Sequence, residues 1–233
     1  MHYVLRVSLP DRPGSLHALT GACRGAGADI VSLDVIEQSS GIAVDDLCLT
    51  VQDPQALTAA VNRLPGTTVM SVRQVPSFRD LDGALALAAG MVAEGRGAVR
   101  LLVEQLPEAL WTEWAVAVAR GWNGLEVLAA SEAAIVPETA HWLPLMAPRR
   151  LERADMIADG STTAFDELEL AAAPLGQTMS AVIVARRNGP RFVDRELRQL
   201  DLLAKVAVAT EVAHTTRRPV ERIGPTRRSV VGS

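Results

Sequence analysis

Hydrophobic and polar residues at the start of the chain alternate with two different periods. Residues 3–9 alternate apolar and polar side chains, which is the period-two pattern of a half-buried strand, and Pro10 ends it. From Ser15, apolar residues recur at helical spacing until Gly25. The pattern predicts a strand that is followed at once by an amphipathic helix.

The next fifty residues extend this pattern with three more strands and a second helix. Alternation places the strands' apolar positions at Val31, Leu33 and Val35, at Leu47, Leu49 and Val51, and across residues 67–75. Before the last strand, Asp53 and Pro54 open a helix as N-cap and first helical residue. The order βαββαβ predicts a four-stranded antiparallel sheet with both helices on one face, the ferredoxin-like arrangement.

A second set of elements follows a predicted boundary at Pro76-Ser77. Helical spacing predicts two helices in residues 80–110, alternation predicts strands at 114–119, 125–129, 168–172 and 179–185, and residues 132–165 have no clear assignment. A last helix is predicted from Asp194, as its N-cap, with an apolar stripe that includes Leu197, Leu200 and Ala204. The fold class is therefore α+β, with two domains.

Composition narrows the classes of function. The 233 residues are 48% hydrophobic with a net charge of −4, so the chain can form a core and presents no basic surface for nucleic acid. No apolar run approaches the roughly 20 residues that span a membrane, and no signal peptide is apparent at the start. We therefore expect a cytoplasmic protein without membrane or nucleic-acid partners. Cys23 and Cys48 lack a nearby His and indicate reduced core thiols rather than zinc ligands.

Two short segments of the first domain carry a family resemblance. The turn Leu9-Pro10-Asp11-Arg12-Pro13-Gly14 follows the first strand, and the junction Gly27-Ala28-Asp29-Ile30 leads into the second. With the βαββαβ order, these segments make residues 3–75 resemble the ACT domain. That resemblance implies a regulatory module that binds amino acids and has no catalytic activity of its own.

The chemistry of the two segments suits a zwitterionic ligand. Unpaired N–H groups at the helix start near Gly14 and Ser15 favour a carboxylate, and Asp29 can receive an ammonium group. The resemblance implies that the segments meet across a subunit interface, with a ligand site formed by Asp11, Arg12, Pro13, Gly14, Ser15, Asp29 and Ile30. The family often has Asn where Asp29 stands. The alternative is that Asp11 merely caps its turn and Asp29 is an exposed residue at a strand start.

The end of the second domain resembles a different sensory family. Residues 174–210, and the opening order of helix, hairpin and variable middle, resemble the GAF domain, which holds small ligands. Asn188 is followed by Gly189, and no Asp-Glu pair follows Phe192 at the spacing of GAF domains that bind cyclic nucleotides. The sequence therefore does not support cyclic-nucleotide binding. The alternative is a generic α+β domain. We expect an ACT-like domain at 1–75, a GAF-like domain at 80–214 and a disordered basic tail at 215–233.

The sequence contains none of the common catalytic motifs. Asp155, Asp159, Asp166 and Glu167 form an acidic cluster that could supply acid–base groups or metal ligands, but a solvated acidic loop is the default interpretation. We therefore expect no catalytic residues, no metal and no cofactor.

Two functional hypotheses follow. The first is a non-catalytic sensor of an amino acid or similar small molecule, and the second is an adaptor or regulatory subunit that acts mainly through contacts with a separately encoded enzyme. Open sheet edges and the terminal helix, through Leu197, Leu200 and Ala204, predict a homodimer in either case. The sequence names neither the ligand nor the regulated partner.

Overall fold

The computed structural model describes residues 1–75, 83–158, 163–176, 179–187 and 189–216. The first sheet has the order β2-β3-β1-β4 and is antiparallel throughout. Its strands and the two helices between them are β1 His2–Pro10, α1 Ser15–Gly25, β2 Asp29–Ser39, β3 Ile42–Thr50, α2 Pro54–Asn62 and β4 Thr68–Val75. The predicted ferredoxin-like βαββαβ arrangement is confirmed.

One face of this sheet forms the core with α1 and α2. Leu5 and Val7 on β1 and Leu47 and Leu49 on β3 are buried against the helices, as the alternation predicted. The helices contribute the apolar residues Leu19 and Cys23 from α1, and Leu57 and Val61 from α2. Asp53 caps α2, because its carboxylate accepts the N–H groups of Gln55 and Ala56 at 2.9 Å each.

Strand β2 departs from the predicted pattern. The expected apolar face of Val31, Leu33 and Val35 is wrong at two of its three positions, because Val31 and Val35 are 55% and 43% exposed. Irregularities in the pairing with β3, between Ile30 and Ser32 and again after Val35, shift the side chains by one position. Leu33 packs on the core as expected, and Ile30 packs there in place of Val31.

The other face of the first sheet is covered by the second domain. Val4 and Cys48 on this face form a small apolar cluster with Val75 and Trp111, and Arg6 beside them is also buried. Strand β1 is therefore buried on both faces, whereas its alternation predicted burial on only one.

The second domain contains a five-stranded antiparallel sheet of order β6-β5-β9-β8-β7. Its elements are α3 Gly83–Glu94, α4 Ala98–Ala109, β5 Trp114–Gly121, β6 Gly124–Ala130, β7 Arg149–Leu151, α5 Arg153–Met156, β8 Leu168–Pro174, β9 Ser180–Arg187 and α6 Asp194–Thr216. Helices α3, α4 and α6 pack on one face, and segments between residues 140 and 165 cover the other. None of the described helices is both long and apolar enough to cross a membrane.

Helix α6 differs from the expectations in three respects. Leu197, Leu200 and Ala204 are buried in the core of their own domain, so they are not available for a contact between subunits. Asp194 is the first residue of the helix and not its N-cap, and its carboxylate accepts a hydrogen bond from Arg150 at 3.2 Å. The helix continues through Thr216, two residues into the predicted tail. The predicted boundary at Pro76-Ser77 and residues 217–233 lie outside the described residues.

Candidate functional site

A cavity lies at the turn between β1 and α1. It has a volume of about 410 Å³ and is lined by nine residues: Pro10, Arg12, Pro13, Gly14, Ser15, Ala18, Leu64, Pro65 and Thr67. Its wall thus combines the first turn with the loop after α2. Four of the seven residues predicted for the ligand site line it, namely Arg12, Pro13, Gly14 and Ser15.

The backbone N–H groups at the start of α1 have no side-chain cap. Gly14 is the N-cap with φ of +92°, a left-handed conformation that favours glycine, and no side chain caps the helix. The first intrahelical bond runs from the Ala18 N–H to the Gly14 carbonyl at 3.0 Å. The N–H groups of Leu16 and His17 precede it, and together with the helix dipole they favour an anion.

Asp11 is held beside this cavity but is not among the residues that line it. Its backbone N–H donates to the Gly41 carbonyl at 2.9 Å, and its carboxylate accepts from the Gln38 side chain at 3.4 Å. These two hydrogen bonds hold Asp11 in its turn. The pKa of the buried Asp45 is raised, mainly by burial and then by the negative charges of Asp46 and Asp11.

Asp29 and Ile30 lie at the opposite end of the sheet. Asp29 pairs with Thr50, whereas the first turn adjoins Ile42 at the other end of β3. Eight residue steps separate these positions, which is about 26 Å in an extended strand. Asp29 is exposed and Ile30 packs on the core, so one protomer does not bring these two residues to the first-turn cavity.

The acidic cluster of the second domain is largely paired with arginine. Asp155 lies 2.7 Å from Arg149, and Asp166 lies 2.6 Å from Arg153. Asp159 lies outside the described residues. Among the residues that the structure describes, no group of His, Cys, Asp or Glu side chains could hold a metal ion.

A charged cluster that the sequence did not indicate joins the two domains. Arg6 on β1 binds both carboxylate oxygens of Asp46 at 2.7 Å, and its guanidinium also contacts Glu196 of α6 at 3.2 Å. Arg186 on β9 approaches the same Glu196 oxygen at 2.9 Å. Arg6 and Glu196 are 190 positions apart. Arg6 also alternates with apolar residues, so the sequence pattern pointed to a solvent-facing side chain.

The charges in this cluster shift the pKa values of Arg6 and Glu196. Burial alone would lower the pKa of Arg6, but hydrogen bonds and the charges of Asp46 and Glu196 hold it above its ordinary value. Burial likewise would raise the pKa of Glu196, but Arg186 and Arg6 more than offset this effect and lower it. Arg6 and Glu196 are therefore both charged near neutral pH, and the contact between them links the two domains.

The geometry of the first domain agrees with a family match. Residues 3–66 match the family model described as ACT domain. The N-terminal domain is an ACT domain. ACT domains are small-molecule-binding regulatory domains, so a regulatory ligand-binding role is the coarse function that this domain supports. No curated protein matches the chain at a significant level.

Several solved structures align with a large part of the chain. A GAF domain of a phosphoenolpyruvate-protein phosphotransferase from Acinetobacter is 10% identical, covers 62% of this chain and 99% of its own, and has a TM-score of 0.45. A GAF domain from A. aeolicus is 11% identical, covers 55% and 94%, and has a TM-score of 0.39. A GAF domain from Pseudomonas syringae pv. tomato is 12% identical, covers 59% and 87%, and has a TM-score of 0.39. Likenesses at this level identify neither a ligand nor an activity.

Proposed function

We propose that the protein is a non-catalytic regulator that senses a free amino acid or a similar small molecule through its ACT domain. The observation that carries the proposal is the cavity of about 410 Å³ at the start of α1. That volume suits a small ligand. Arg12 and the uncapped N–H groups of the helix supply partners for a carboxylate, and the Ser15 and Thr67 hydroxyls can bind further polar groups.

The ammonium end of the ligand needs an acceptor that this cavity lacks. Its lining contains no carboxylate among the described residues. Asp29 is exposed about 26 Å away in the same protomer, so it can serve only from a second copy. We therefore propose a homodimer in which Asp29 of one subunit faces the first turn of the other.

The ligand can be identified with a thermal-shift screen of the twenty amino acids. A ligand that binds the folded state stabilises it in proportion to the logarithm of its concentration relative to the dissociation constant. We expect one or two clear stabilisers. If no amino acid changes the melting temperature, the amino-acid sensor is wrong.

Variants of the site then test where the ligand binds. With a stabilising amino acid in hand, calorimetry of Arg12→Gln and of Asp29→Ala should each show affinity about ten- to a hundredfold weaker, because a charge-assisted hydrogen bond contributes roughly 1.5–3 kcal/mol. Arg24→Gln, at an exposed position at the other end of α1, is the control. Unchanged affinity in Arg12→Gln would exclude the first-turn cavity. Gly14 is a poorer probe, since its positive φ would strain any side chain.

Light scattering tests the dimer directly. Val31 and Val35 leave an apolar strip on edge strand β2, which makes this edge the proposed pairing surface. Wild type should give about twice the monomer mass of 24.8 kDa at micromolar concentration. Val31→Lys should lower the mass toward the monomer, whereas Val136→Lys, at a similarly exposed valine of the second domain, should not. A monomeric wild type would contradict the proposal.

A second candidate function is an adaptor that acts through protein contacts. The second domain exposes large apolar side chains at Trp122, in the turn between β5 and β6, and at Met146 and Leu85. Exposed apolar side chains of this size are common at protein interfaces. A purified protein that is dimeric but stabilised by no amino acid would favour the adaptor over the sensor.

A further inference from the structure

A second cavity lies between the two domains, on the side of the ACT sheet away from α1 and α2. It has a volume of about 480 Å³. Strand β4 lines it from one side, and the second domain lines it from the other. The polar lining includes Arg73, Thr112, Arg186 and Arg187, so three arginines face this cavity.

Arg73 is the unusual charge in this cleft. No carboxylate lies within 4.0 Å of it in the described part of the chain, and its Nε atom is buried without a hydrogen-bond partner. Its guanidinium lies 3.7 Å from the centre of the Trp111 ring. A cation held against a ring face keeps its N–H groups available at the edge, so Arg73 can still donate to a ligand.

Two further donors in the cleft lack partners. Arg186 is 7% exposed, and its Nη atoms contact Glu196 and the carbonyls of Leu110 and Pro190, but its Nε has no partner. Thr112 is 9% exposed, and its hydroxyl has no hydrogen-bond partner. Buried polar groups in proteins are nearly always hydrogen-bonded, so unpartnered donors on one cavity indicate a missing acceptor.

The charge balance favours a negative acceptor. Around the domain junction the guanidinium groups of Arg6, Arg73 and Arg186 face the carboxylates of Asp46 and Glu196, while Arg187 is paired with Glu113 at 3.3 Å. Asp34 and Arg195, at the neighbouring edge of the junction, contribute one charge of each sign. One positive charge is left over, at Arg73. Burial and then the charges of Arg186 and Arg6 lower the pKa of Arg73 to about 10, although Asp46 and Glu196 act the other way.

The backbone at Trp111 points to the same site. Trp111 follows the end of α4 with φ of +57°, a left-handed conformation that glycine usually takes at this position. A bulky residue there is strained, and such strain is concentrated at functional sites. The conformation brings the indole over Arg73 and packs it on Val4, Cys48 and Val75.

We propose that this interdomain cleft binds a small organic anion, a carboxylate or a phosphate, through Arg73 with Thr112 and Arg186 as further donors. The apolar side chains of Val72, Pro107 and Trp111 accommodate the organic part of the ligand. Because Arg73 belongs to the ACT domain and the other two donors to the second domain, the anion bridges both. This site is separate from the first-turn cavity and does not depend on the proposed amino-acid sensing.

Thermal-shift titration of the full chain with acetate, benzoate and inorganic phosphate tests the proposal. Chloride at matched ionic strength is the control for general salt effects. At least one probe should give saturable stabilisation in the wild type, and the arm that responds distinguishes a carboxylate from a phosphate ligand. If none of the three stabilises the protein beyond chloride, the proposal is wrong.

Variants separate the cleft from the rest of the surface. Arg73→Gln should weaken binding of the responding probe at least tenfold, and Thr112→Val, which removes a hydroxyl with little change in shape, should weaken it about threefold. Arg100→Gln, at a 71% exposed side chain, should leave the affinity unchanged. Equal affinity in wild type, Arg73→Gln and Thr112→Val would overturn the assignment even if the probe binds.

Discussion

Asp45 illustrates how one carboxyl group can oppose folding at neutral pH. It is 1% exposed, its Oδ1 atom has no hydrogen-bond partner, and burial with the charges of Asp46 and Asp11 raises its pKa. A raised pKa in the folded state means that folding favours the protonated form. Asp45 therefore costs stability once the pH exceeds its folded pKa, and the cost disappears below its unfolded pKa of about 3.9.

Asp45→Asn should consequently stabilise the protein at pH 7. The substitution removes the buried charge, so we expect the free energy of unfolding to rise by about 1 kcal/mol, the usual order for an unsatisfied buried group. Urea unfolding of variant and wild type at pH 7 and near pH 4 measures the difference, which should shrink at the lower pH. A variant that is equally destabilised at both values would show that Asp45 accepts a hydrogen bond that stabilises the fold.

Gly189 leaves room for the side chain of Arg186, which lies directly against it. A Cβ atom at this position would come within 2.6 Å of Cδ and 2.9 Å of Cγ of Arg186. Gly189→Ala should therefore displace the Arg186 side chain and weaken its contact with Glu196. We expect a loss of about 1 kcal/mol in the free energy of unfolding, the central value for single substitutions. Gly21→Ala, where a Cβ meets nothing within 4 Å, is the control in the same assay.

At the scale of elements, local chemistry made the ends of several helices predictable. The Asp53-Pro54 pair identified the start of α2, and glycines near residue 95 identified the break between α3 and α4, because caps and breakers act within a few residues. The side-chain directions on β2 were predicted wrongly, because its bulges arise from pairing with β3 rather than from its own sequence. Residues 132–165 gave no period, and the structure has only the short β7 and α5 in its described part of this stretch.

The cap of α2 provides a test at this scale. Asp53→Ala removes two hydrogen bonds of 2.9 Å from the first turn of the helix and should destabilise the protein by about 1 kcal/mol. The far end of α2 leads into the loop of Leu64, Pro65 and Thr67 that lines the first-turn cavity. Ligand affinity should nevertheless be retained, because Asp53 lies at the opposite end of the helix.

Denaturant unfolding and calorimetry on the same sample separate these two effects. Asp53→Asn is the matched control, because an asparagine side chain still offers an oxygen to the N–H groups of Gln55 and Ala56. This variant should keep most of the wild-type stability. If Asp53→Asn is as unstable as Asp53→Ala, the cap hydrogen bonds do not account for the loss.

At the scale of the molecule, two cores are joined by a small interface. The apolar cores of the two domains are separate, and the apolar cluster that connects them contains Val4, Cys48, Val75 and Trp111. The charged cluster and the anion cleft could not be predicted from sequence, because both depend on how two separately folded surfaces meet. The ligand-site prediction had the same limit: its residues lie in two local motifs, and only the structure shows that Asp29 is at the opposite end of the sheet from the first turn.

Separate cores imply that the second domain folds alone. A fragment of residues 76–216, which retains the whole of α6, should unfold cooperatively in urea. Its midpoint should lie below that of the full chain, because Trp111 and Leu110 lose their cover from the ACT sheet. A molten fragment that is rapidly digested by protease would mean that the two halves depend on a shared core.

Coupling between the domains should depend on Glu196. This carboxylate contacts Arg6 of the ACT domain at 3.2 Å and Arg186 of its own domain at 2.9 Å, and its pKa is lowered by both despite burial. A lowered folded pKa contributes stability that is fully present above the unfolded value of about 4.3 and is lost as the pH falls through the folded value. Glu196→Gln should therefore cost about 2 kcal/mol at pH 7, somewhat less than a fully buried pair, since Glu196 is partly accessible.

The pH profile distinguishes this ion pair from a merely structural contact. Calorimetric unfolding from pH 7 to pH 3 should show a stability difference between wild type and Glu196→Gln that is constant above about pH 4.5 and narrows below it, as wild-type Glu196 becomes protonated. At neutral pH the variant should also unfold in two steps, because Arg6 then retains Asp46 but loses its contact across the domain junction. Glu108→Gln, an exposed position on α4, is the control and should leave the profile unchanged. A difference that persists unaltered to pH 3 would mean that the substitution acts through packing and that the charge of Glu196 does not hold the domains together.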